Sequence, residues 1–108
     1  MTKEFIQIQW TCGNLEEARR ISRELIQKKW VACAQIIPWI ESIFMWNDQL
    51  DIQQESKVIF KTVRSSYEDV KNFILDQALY EVPEILVTPI IDGHQDYLNW
   101  VSENVQHH

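Results

Sequence analysis

Residues 30–63 read WVACAQIIPWIESIFMWNDQLDIQQESKVIFKTV, and this stretch decides the fold. Two extended arms, residues 32–46 and 54–63, are separated by the polar stretch 47–53. The first arm is rich in Ile, Phe, Val and Trp, which suit a pleated, half-buried surface. At about 3.3 Å per residue, this arm is longer than the usual strand of about five or six residues. A single small domain cannot bury both faces and the far end of such a hairpin, so another copy of the chain is predicted to bury the remainder.

The composition is typical of a globular domain, and residues 1–108 are predicted to form a single one. Apolar residues make up 45% of the chain and charged residues 24%. The chain has five tryptophans, and large aromatic side chains are enriched at association surfaces, so this excess favours an oligomer. The formal net charge is −6. An acidic chain repels phosphate groups, which argues against nucleic acid and anionic membranes as partners.

Cysteine usage and the chain ends set the expected compartment. Cys12 and Cys33 are too few for a disulfide framework or a four-thiolate cluster. No signal-peptide pattern is visible, which favours a reducing compartment, and a cytoplasmic protein is expected. The longest uncharged run, residues 30–40, is shorter than the roughly 20 residues that a membrane helix needs. His107 and His108 are interpreted as a possible purification-tag remnant and are given no function.

The N-terminal part of the chain predicts a strand followed by an amphipathic helix. Apolar and polar residues alternate through residues 5–10, which indicates a strand with one buried face. Asn14 is predicted to cap the following helix, with Glu17 reaching back to complete a capping box. Lys28 and Lys29 are placed in the last turn of this helix, where they suit the negative end of its dipole.

The long hairpin comes next, and Pro38 predicts an irregularity in its first arm, because proline is confined to sheet edges and bulges. A second helix is predicted to begin at Ser65 or Ser66, again with a capping box. Residues 85–91 form a nearly continuous apolar run, which is typical of a strand buried on both faces. A short helix from about Asp96 closes the chain.

This order, β-α-β-β-α-β plus a C-terminal helix, predicts an α+β fold of the ferredoxin-like, split βαβ kind with a long central hairpin. The helices are predicted to cover one face of the sheet, while the other face meets a neighbouring subunit. Many unrelated functions occur on this fold, so the site has to be argued from its own residues.

Several motifs, taken in their order along the chain, resemble those of one family. They are residues 32–38 (ACAQIIP), 42–46 (SIFMW), 61–62 (KT), 80–85 (YEVPEI) and 97–100 (YLNW). In this respect the chain resembles the CutA family of divalent-cation tolerance proteins, over about residues 6–101. The resemblance implies a ferredoxin-like protomer and a tight homotrimer joined by strand pairing of the long hairpins. It also implies a link to copper and other divalent metals without an established catalytic activity.

The chain departs from the family pattern where some relatives bind metal. Family members commonly carry His-Pro directly before the YEVPE stretch, and here these positions are Ala78 and Leu79. The positions at which some relatives offer copper ligands correspond to Trp10, Gln77 and Ala78, none of which is a good copper ligand. The usual glycine after the hairpin tryptophan is Asp48. The resemblance therefore implies that the assembly is kept while that metal site is lacking.

Neither cysteine is a strong candidate for chemistry. A reactive thiol needs a nearby cation or helix N-terminus that lowers its pKa. Cys33 follows an apolar stretch with no adjacent base, which favours a buried structural role. Cys12 lies at the start of a loop without a neighbouring His or second Cys, which makes it a weak signal for a soft metal.

The segment YEVPE offers two carboxylates beside a proline. Glu81 and Glu84 are three positions apart, so in an extended segment they point to opposite sides and are not expected to share a ligand. Pairing with a lysine such as Lys61, or with a backbone amide, is the preferred interpretation. The resemblance nevertheless implies a cleft near the subunit boundary that binds a small anion or a metal-bearing ligand. The residues predicted to bind that ligand are Cys33, Trp46, Lys61, Tyr80 and Glu81; no catalytic residue is assigned.

The segment DGHQD, residues 92–96, places two carboxylates and an imidazole close together. These are hard or borderline metal ligands, but their spacing matches no established metal loop. Asp and Gly also form ordinary turns, and Asp96 or His94 is suited to cap the last helix. The turn is the preferred interpretation.

Four functions are compared, and a trimeric tolerance or homeostasis protein is preferred. It is a binding module and not an enzyme, its ligands are divalent cations such as copper or zinc, and its protein partner is itself. The first alternative is a trimeric signalling protein of the PII kind that binds a small anionic ligand between subunits. It needs phosphate-binding glycines or basic residues, which an acidic chain with two glycines does not offer. An RNA-binding domain and a small hydrolase are disfavoured, by the charge and by the lack of a visible catalytic constellation.

Overall fold

Four strands form one antiparallel sheet in the order β2-β3-β1-β4. The structure is a computed structural model and describes residues 4–106. Residues 107 and 108, interpreted above as a possible tag remnant, lie outside this range. The elements in chain order are β1 (Phe5–Cys12), α1 (Leu15–Gln27), β2 (Cys33–Trp46), β3 (Gln49–Val63), a 3-10 turn (Arg64–Ser66), α2 (Tyr67–Gln77), β4 (Glu84–Ile90) and α3 (Gln95–Glu103). This order confirms the predicted α+β, ferredoxin-like arrangement.

Helices α1 and α2 pack on one face of the sheet and form the main core. The alternation predicted for β1 is confirmed, because Ile6, Ile8 and Trp10 are buried while the residues between them are partly exposed. The Trp10 and Phe60 rings stack with centroids 6.4 Å apart. Burying one such large apolar side chain stabilises the fold by about 1.5–3 kcal/mol.

Helix α3 does not join the other two helices, which corrects the prediction that the helices share one face. Val101 of α3 packs in a second buried cluster with Val63 of β3 and with the partly buried Phe5 of β1. Phe5 and Val63 are register partners, and each is next to a residue that faces the main core. Successive strand residues point to opposite faces, so α3 covers one end of the face away from α1 and α2.

The hairpin is longer and its turn tighter than predicted. Residues 47–53 were predicted to separate the arms, but β3 already begins at Gln49. The turn is formed by Asn47 and Asp48 alone, with φ values of 51° and 63°. Two consecutive positive φ values match the type I′ turn, whose twist lets the flanking strands pair directly next to the turn. The irregularity predicted at Pro38 is confirmed by a register shift between Ile37 and Ile40.

The hairpin extends well beyond the rest of the sheet. Residues 56–63 of β3 pair with β1, whereas in the described chain residues 49–55 pair with β2 alone. We call residues 40–55 the overhang. Its exposed apolar side chains include Ile43, Met45, Trp46, Leu50 and Ile52. The protomer is elongated as a result, with principal extents of 47 × 25 × 21 Å.

Three local predictions are only partly correct. The Asn14 side chain accepts a hydrogen bond from the Glu17 amide at 2.8 Å, which confirms the cap, but the Glu17 carboxylate accepts one from the Leu79 amide, also at 2.8 Å. Ser66 precedes α2 without a side-chain capping bond. Strand β4 was predicted to be buried on both faces; it is an edge strand, and Leu86 is 53% exposed.

Helix α1 ends with a left-handed residue that is not glycine. The helix stops at Gln27, so Lys28 and Lys29 follow it and do not lie in its last turn as predicted. Lys29 has φ of 60°. The Trp30 amide bonds to the Leu25 carbonyl at 3.2 Å and the Lys29 amide to the Ile26 carbonyl at 3.0 Å. These two bonds form a Schellman motif, in which glycine is the favoured left-handed residue.

Replacing Lys29 with glycine is expected to stabilise the protein by about 1 kcal/mol, because the left-handed strain of a side chain is removed. Chemical denaturation at fixed protein concentration measures the change. The matched control is Arg23→Gly, at an exposed position inside α1, which should lower the free energy of unfolding by about 0.5–1 kcal/mol. A destabilised Lys29→Gly variant would contradict the role given to this residue.

Candidate functional site

A cleft of about 850 Å³ lies between the overhang and the loop that connects α2 to β4. We call this connection, residues 78–83, the 78–83 loop. It lies beside the overhang, beyond the point where β1 ends at Cys12. The side chains that line the cleft include Thr11, Ile43, Phe44, Trp46, Asp51, Glu55, Lys57, Leu79, Tyr80, Glu81, Val82 and Glu84.

The cleft is acidic as well as apolar. Its carboxylates belong to Asp51, Glu55, Glu81 and Glu84, and Lys57 is the one basic residue among the lining residues that the structure describes. Carboxylates in this excess favour cations over phosphate or other small anions.

Cross-strand register brings three polar side chains of the cleft together. Thr11 of β1 is the register partner of Glu84 on β4 and of Lys57 on β3. Directly opposed residues share a sheet face, so the three side chains form a row across the sheet. The Thr11 hydroxyl donates a hydrogen bond to Glu84 Oε2.

Tyr80 and Glu55 join the 78–83 loop to the hairpin. The Tyr80 hydroxyl donates to Glu55 Oε2 at 2.8 Å, and Glu55 is only 8% exposed. Burial raises the pKa of Tyr80 to about 12, and the hydrogen bond to the Glu55 carboxylate adds to this shift. The phenol therefore remains a hydrogen-bond donor throughout the neutral pH range.

Gly13 leaves the space that the Tyr80 hydroxyl occupies. A Cβ atom at position 13 would lie 2.9 Å from the Tyr80 hydroxyl oxygen, which is closer than such contacts normally are. The lack of a side chain at this position therefore lets the tyrosine reach Glu55.

A second buried carboxylate holds the neighbouring residue of the loop. Glu17 on α1 is 5% exposed and accepts the hydrogen bond from the Leu79 amide. Next to it, the pKa of the Cys12 thiol is raised to about 12, mainly by burial and in addition by the nearby Glu17 carboxylate. Cys12 is therefore a structural thiol and not a nucleophile.

The structure brings together three of the five residues predicted to bind a ligand. Trp46, Tyr80 and Glu81 line the cleft. Cys33 and Lys61 are register partners on β2 and β3 and are not among the lining residues. The Lys61 ammonium donates to Gln35 Oε1, and not to Glu81 or Glu84.

Cys33 lies against α3, on the sheet face away from α1 and α2. It is partly exposed and contacts Tyr97. Burial raises the pKa of the Tyr97 phenol, and the Cys33 thiol adds to this shift. This contact places Cys33 beside an aromatic ring, but its partial exposure corrects the prediction that it is buried, and its structural role stays a prediction.

Glu55, Lys57 and Thr11 also line the cleft and were not predicted from the sequence. Glu55 and Tyr80 are 25 positions apart, and only the reach of the hairpin past β1 makes them neighbours. No local motif marks these residues. The only signal that could have found them is the strand register, which pairs the part of β3 around Lys57 with the end of β1 at Cys12.

The positions that the resemblance matched to copper ligands of some relatives are Trp10, Gln77 and Ala78. Trp10 is fully buried in the core, and Gln77 accepts a hydrogen bond from Arg20 at 3.2 Å. In the 92–96 segment, Asp92 Oδ1 accepts a bond from the adjacent Gly93 amide at 2.8 Å, but residues 91–94 have no assigned turn, so the turn preferred for this segment is not confirmed. His94 precedes α3 without a side-chain capping bond. Within residues 4–106, no three His, Cys, Asp or Glu side chains are arranged to hold a metal ion.

None of the helices in the described part of the chain is both long enough and apolar enough to cross a membrane.

Comparison with known proteins agrees with the fold. The crystal structure of CutA1 from Oryza sativa superimposes with a TM-score of 0.95 and 29% identity, covering 99% of this chain and 98% of that one. CutA1 from Shewanella sp. SIB1 gives a TM-score of 0.93 and 32% identity, covering 99% and 100%. The divalent-cation tolerance protein CutA of Thermus thermophilus is 34% identical over 94 residues, covering 87% of this chain and 91% of that protein.

The molecule is thus a ferredoxin-like α+β protein with a protruding hairpin and an acidic cleft. The model of the CutA1 divalent ion tolerance protein family matches residues 6–104, and the chain belongs to that family.

The relatives differ in length and in the compartment their names give. This chain spans 53% of a chloroplastic CutA of Arabidopsis thaliana and 52% of the CutA protein of Mus musculus. The CutA of Archaeoglobus fulgidus is described as periplasmic. The cytoplasmic location expected from the sequence therefore stays a prediction.

Cys12 is expected to resist thiol reagents in the native protein. Its pKa is raised from 9.0 to about 12, so at pH 8 a Cys33→Ser variant should react with a disulfide reagent about a hundredfold or more slower than a free thiol. The same variant in guanidinium chloride is the control and should react rapidly. The Cys12 thiol loses its proton at lower pH in the unfolded state than in the folded state. The stability that the protonated thiol contributes is therefore present below pH 9 and is lost as the pH rises towards 12. Rapid labelling of the folded variant would contradict the assignment.

Proposed function

We propose that this chain is a cytoplasmic divalent-cation tolerance protein that works as a homotrimer and binds cations without catalysing a reaction. Membership of the CutA1 family supports the tolerance function. The observation that carries the binding part of the proposal is the acidic cleft beside the overhang.

The overhang supports self-association. Its apolar side chains are exposed in the protomer, and exposed apolar patches of this kind mark interaction surfaces. Residues 49–55 also leave backbone groups on one side of β3 without a strand partner in the described chain. An unpaired strand edge pairs readily with a strand from another chain. A second copy that adds a strand here would bury the apolar surface and satisfy these groups together.

The cleft supports a cation as the ligand. Carboxylate oxygens bind zinc, and copper accepts oxygen ligands together with nitrogen. Trp46, Tyr80 and Glu81 keep the ligand-binding role predicted for them, and Glu55 and Glu84 join them. Within residues 4–106, no three metal-ligating side chains are arranged to hold a metal ion. Water molecules or side chains of a second copy would therefore complete the coordination of the cation. The cleft charge disfavours the PII-like alternative, whose ligand is an anion.

A substitution that places a charged side chain in the overhang tests whether the protein forms a trimer. Sedimentation of the unaltered protein should give about three times the 12.9 kDa of one chain. Ile52 is 57% exposed in the protomer, so Ile52→Asp costs little in the free subunit but buries an unpaired charge in the trimer, a cost of several kcal/mol.

We therefore expect Ile52→Asp to sediment as a folded monomer. The matched control is Leu75→Asp on α2, where the side chain is 51% exposed and lies outside the hairpin. This variant should remain trimeric. An unaltered protein that sediments as a monomer at micromolar concentration would overturn the proposed assembly.

Cation binding is tested by calorimetry with Cu²⁺, Zn²⁺ and Ni²⁺. The titrations use a His107→Ser/His108→Ser background, so that these two histidines do not bind the metal. Glu55→Gln keeps the size of the side chain but removes its charge, and it should weaken binding by about tenfold or more. Glu41→Gln is the control, because Glu41 is an exposed carboxylate of the same hairpin outside the cleft. Equal affinities of the two variants would contradict a cation site in the cleft.

A further inference from the structure

Strand β2 is a long edge strand with few of the features that normally discourage association. It has 14 residues and lies at one end of the sheet order, so in the described chain its outer side has no strand partner. Glu41 is its single charged residue. A long, apolar edge strand pairs readily with strands of other chains and leads to aggregation when nothing limits the pairing.

A β-bulge interrupts this edge near its middle. The register of β2 with β3 shifts between Ile37 and Ile40. Within the shift, Pro38 and Trp39 together oppose the single residue Ser56. An extra residue of this kind bends the strand and increases its twist, and it can end the pairing of strands. The direction of the open edge therefore changes at this point.

Two residues hold the bulge and blunt the edge. The Ser56 hydroxyl donates a hydrogen bond to the Pro38 carbonyl at 3.0 Å, and Ser56 is buried, so this bond is shielded from water. Pro38 has no backbone N–H, so it offers no donor to a strand that arrives from outside. Next to it, Trp39 places a bulky side chain, 68% exposed, at the edge.

The bulge divides the open edge of β2 into residues 33–37 and residues 40–46. Residues 40–46 belong to the overhang, whose exposed apolar side chains are proposed to meet a second copy. Residues 33–37 pair with the part of β3 that β1 also covers, so they belong to the main sheet of the protomer. The two parts are therefore separate surfaces, and only one of them continues the proposed contact with a second copy.

We propose that the bulge confines strand addition by a second copy to residues 40–46 and thereby fixes a single register for it. This inference rests on the proposed homotrimer and assigns the limit of its strand pairing to Pro38, Trp39 and Ser56. Proline and β-bulges at sheet edges both protect against unlimited pairing. Without the bulge, an added strand could slide along the whole of β2, and slippage of register gives mixed assemblies.

A variant with a straightened edge tests this role. It combines Pro38→Val with deletion of Trp39, which restores a backbone donor and one-to-one pairing opposite Ser56. In sedimentation, the single species expected of the unaltered protein should be lost and replaced by a mixture that includes species larger than a trimer. The matched control is Trp39→Ser, which keeps the bulge and removes the exposed indole, and it should sediment like the unaltered protein.

Amide hydrogen exchange tests the same role without altering the chain. About half of the amides of an edge strand point away from its strand partner. Residue-resolved exchange measured by NMR on the assembled protein should show these outward amides protected within residues 40–46 and exchanging freely within residues 33–37. If the straightened variant does not fold, this pattern decides.

The outcomes separate the role of the bulge from the trimer itself. Protection limited to residues 40–46, together with a mixture from the straightened variant alone, supports the proposal. In a trimeric protein, protection of residues 33–37 or of neither part, an unchanged trimer from the straightened variant, or loss of the single species in Trp39→Ser overturns it and leaves the trimer standing. A monomeric unaltered protein contradicts the proposed assembly, and the role of the bulge fails with it.

Discussion

The structure depends on a mismatch in length between neighbouring strands. Strand β3 has 15 residues and β1 has 8, and the two are paired over the whole of β1. The overhang lies where β1 has ended and β3 continues. The cleft, the exposed apolar side chains and the open strand edge are all consequences of this one difference, because in the described chain only β2 pairs with that part of β3.

Two buried carboxylates decide how the space beside the overhang is used. Glu17 and Glu55 come from elements on either side of the 78–83 loop and bind adjacent residues of it. A carboxylate with few water contacts is costly unless it is hydrogen-bonded, so each acid stabilises the loop and is stabilised by it. An irregular segment thereby acquires a defined position next to the overhang. This position creates a cleft where a flat sheet edge would otherwise lie.

Local patterns in the sequence predicted local structure well. The alternation in β1, the Asn14 cap and the irregularity at Pro38 all depend on residues that are close together in the chain, and all three predictions are confirmed. The motifs also identified the family, because they recur in order over the whole domain. The location of α3 was predicted wrongly, since a helical pattern shows which side of the helix is apolar but not which sheet face that side will meet.

The candidate site was less predictable because its contacts join distant parts of the chain. Glu17 and Leu79 are 62 positions apart, and nothing near Glu17 shows that its carboxylate leaves its own helix for a loop. Lys61 was grouped with the cleft, but strand register places Lys57 there and Lys61 beside Cys33. A shift of four residues along a strand keeps the same face, so only the pairing register distinguishes these two lysines.

The hairpin turn has a consequence for the order of folding. Asn47 and Asp48 both adopt left-handed conformations that glycine would adopt with less strain. A turn of this composition closes less readily than one containing glycine, so it is a poor point from which to start the sheet. The base of the hairpin, by contrast, is supported by β1 and by the core. We therefore expect the two strands of the hairpin to pair from the core outward, with the pairs nearest Asn47 forming last.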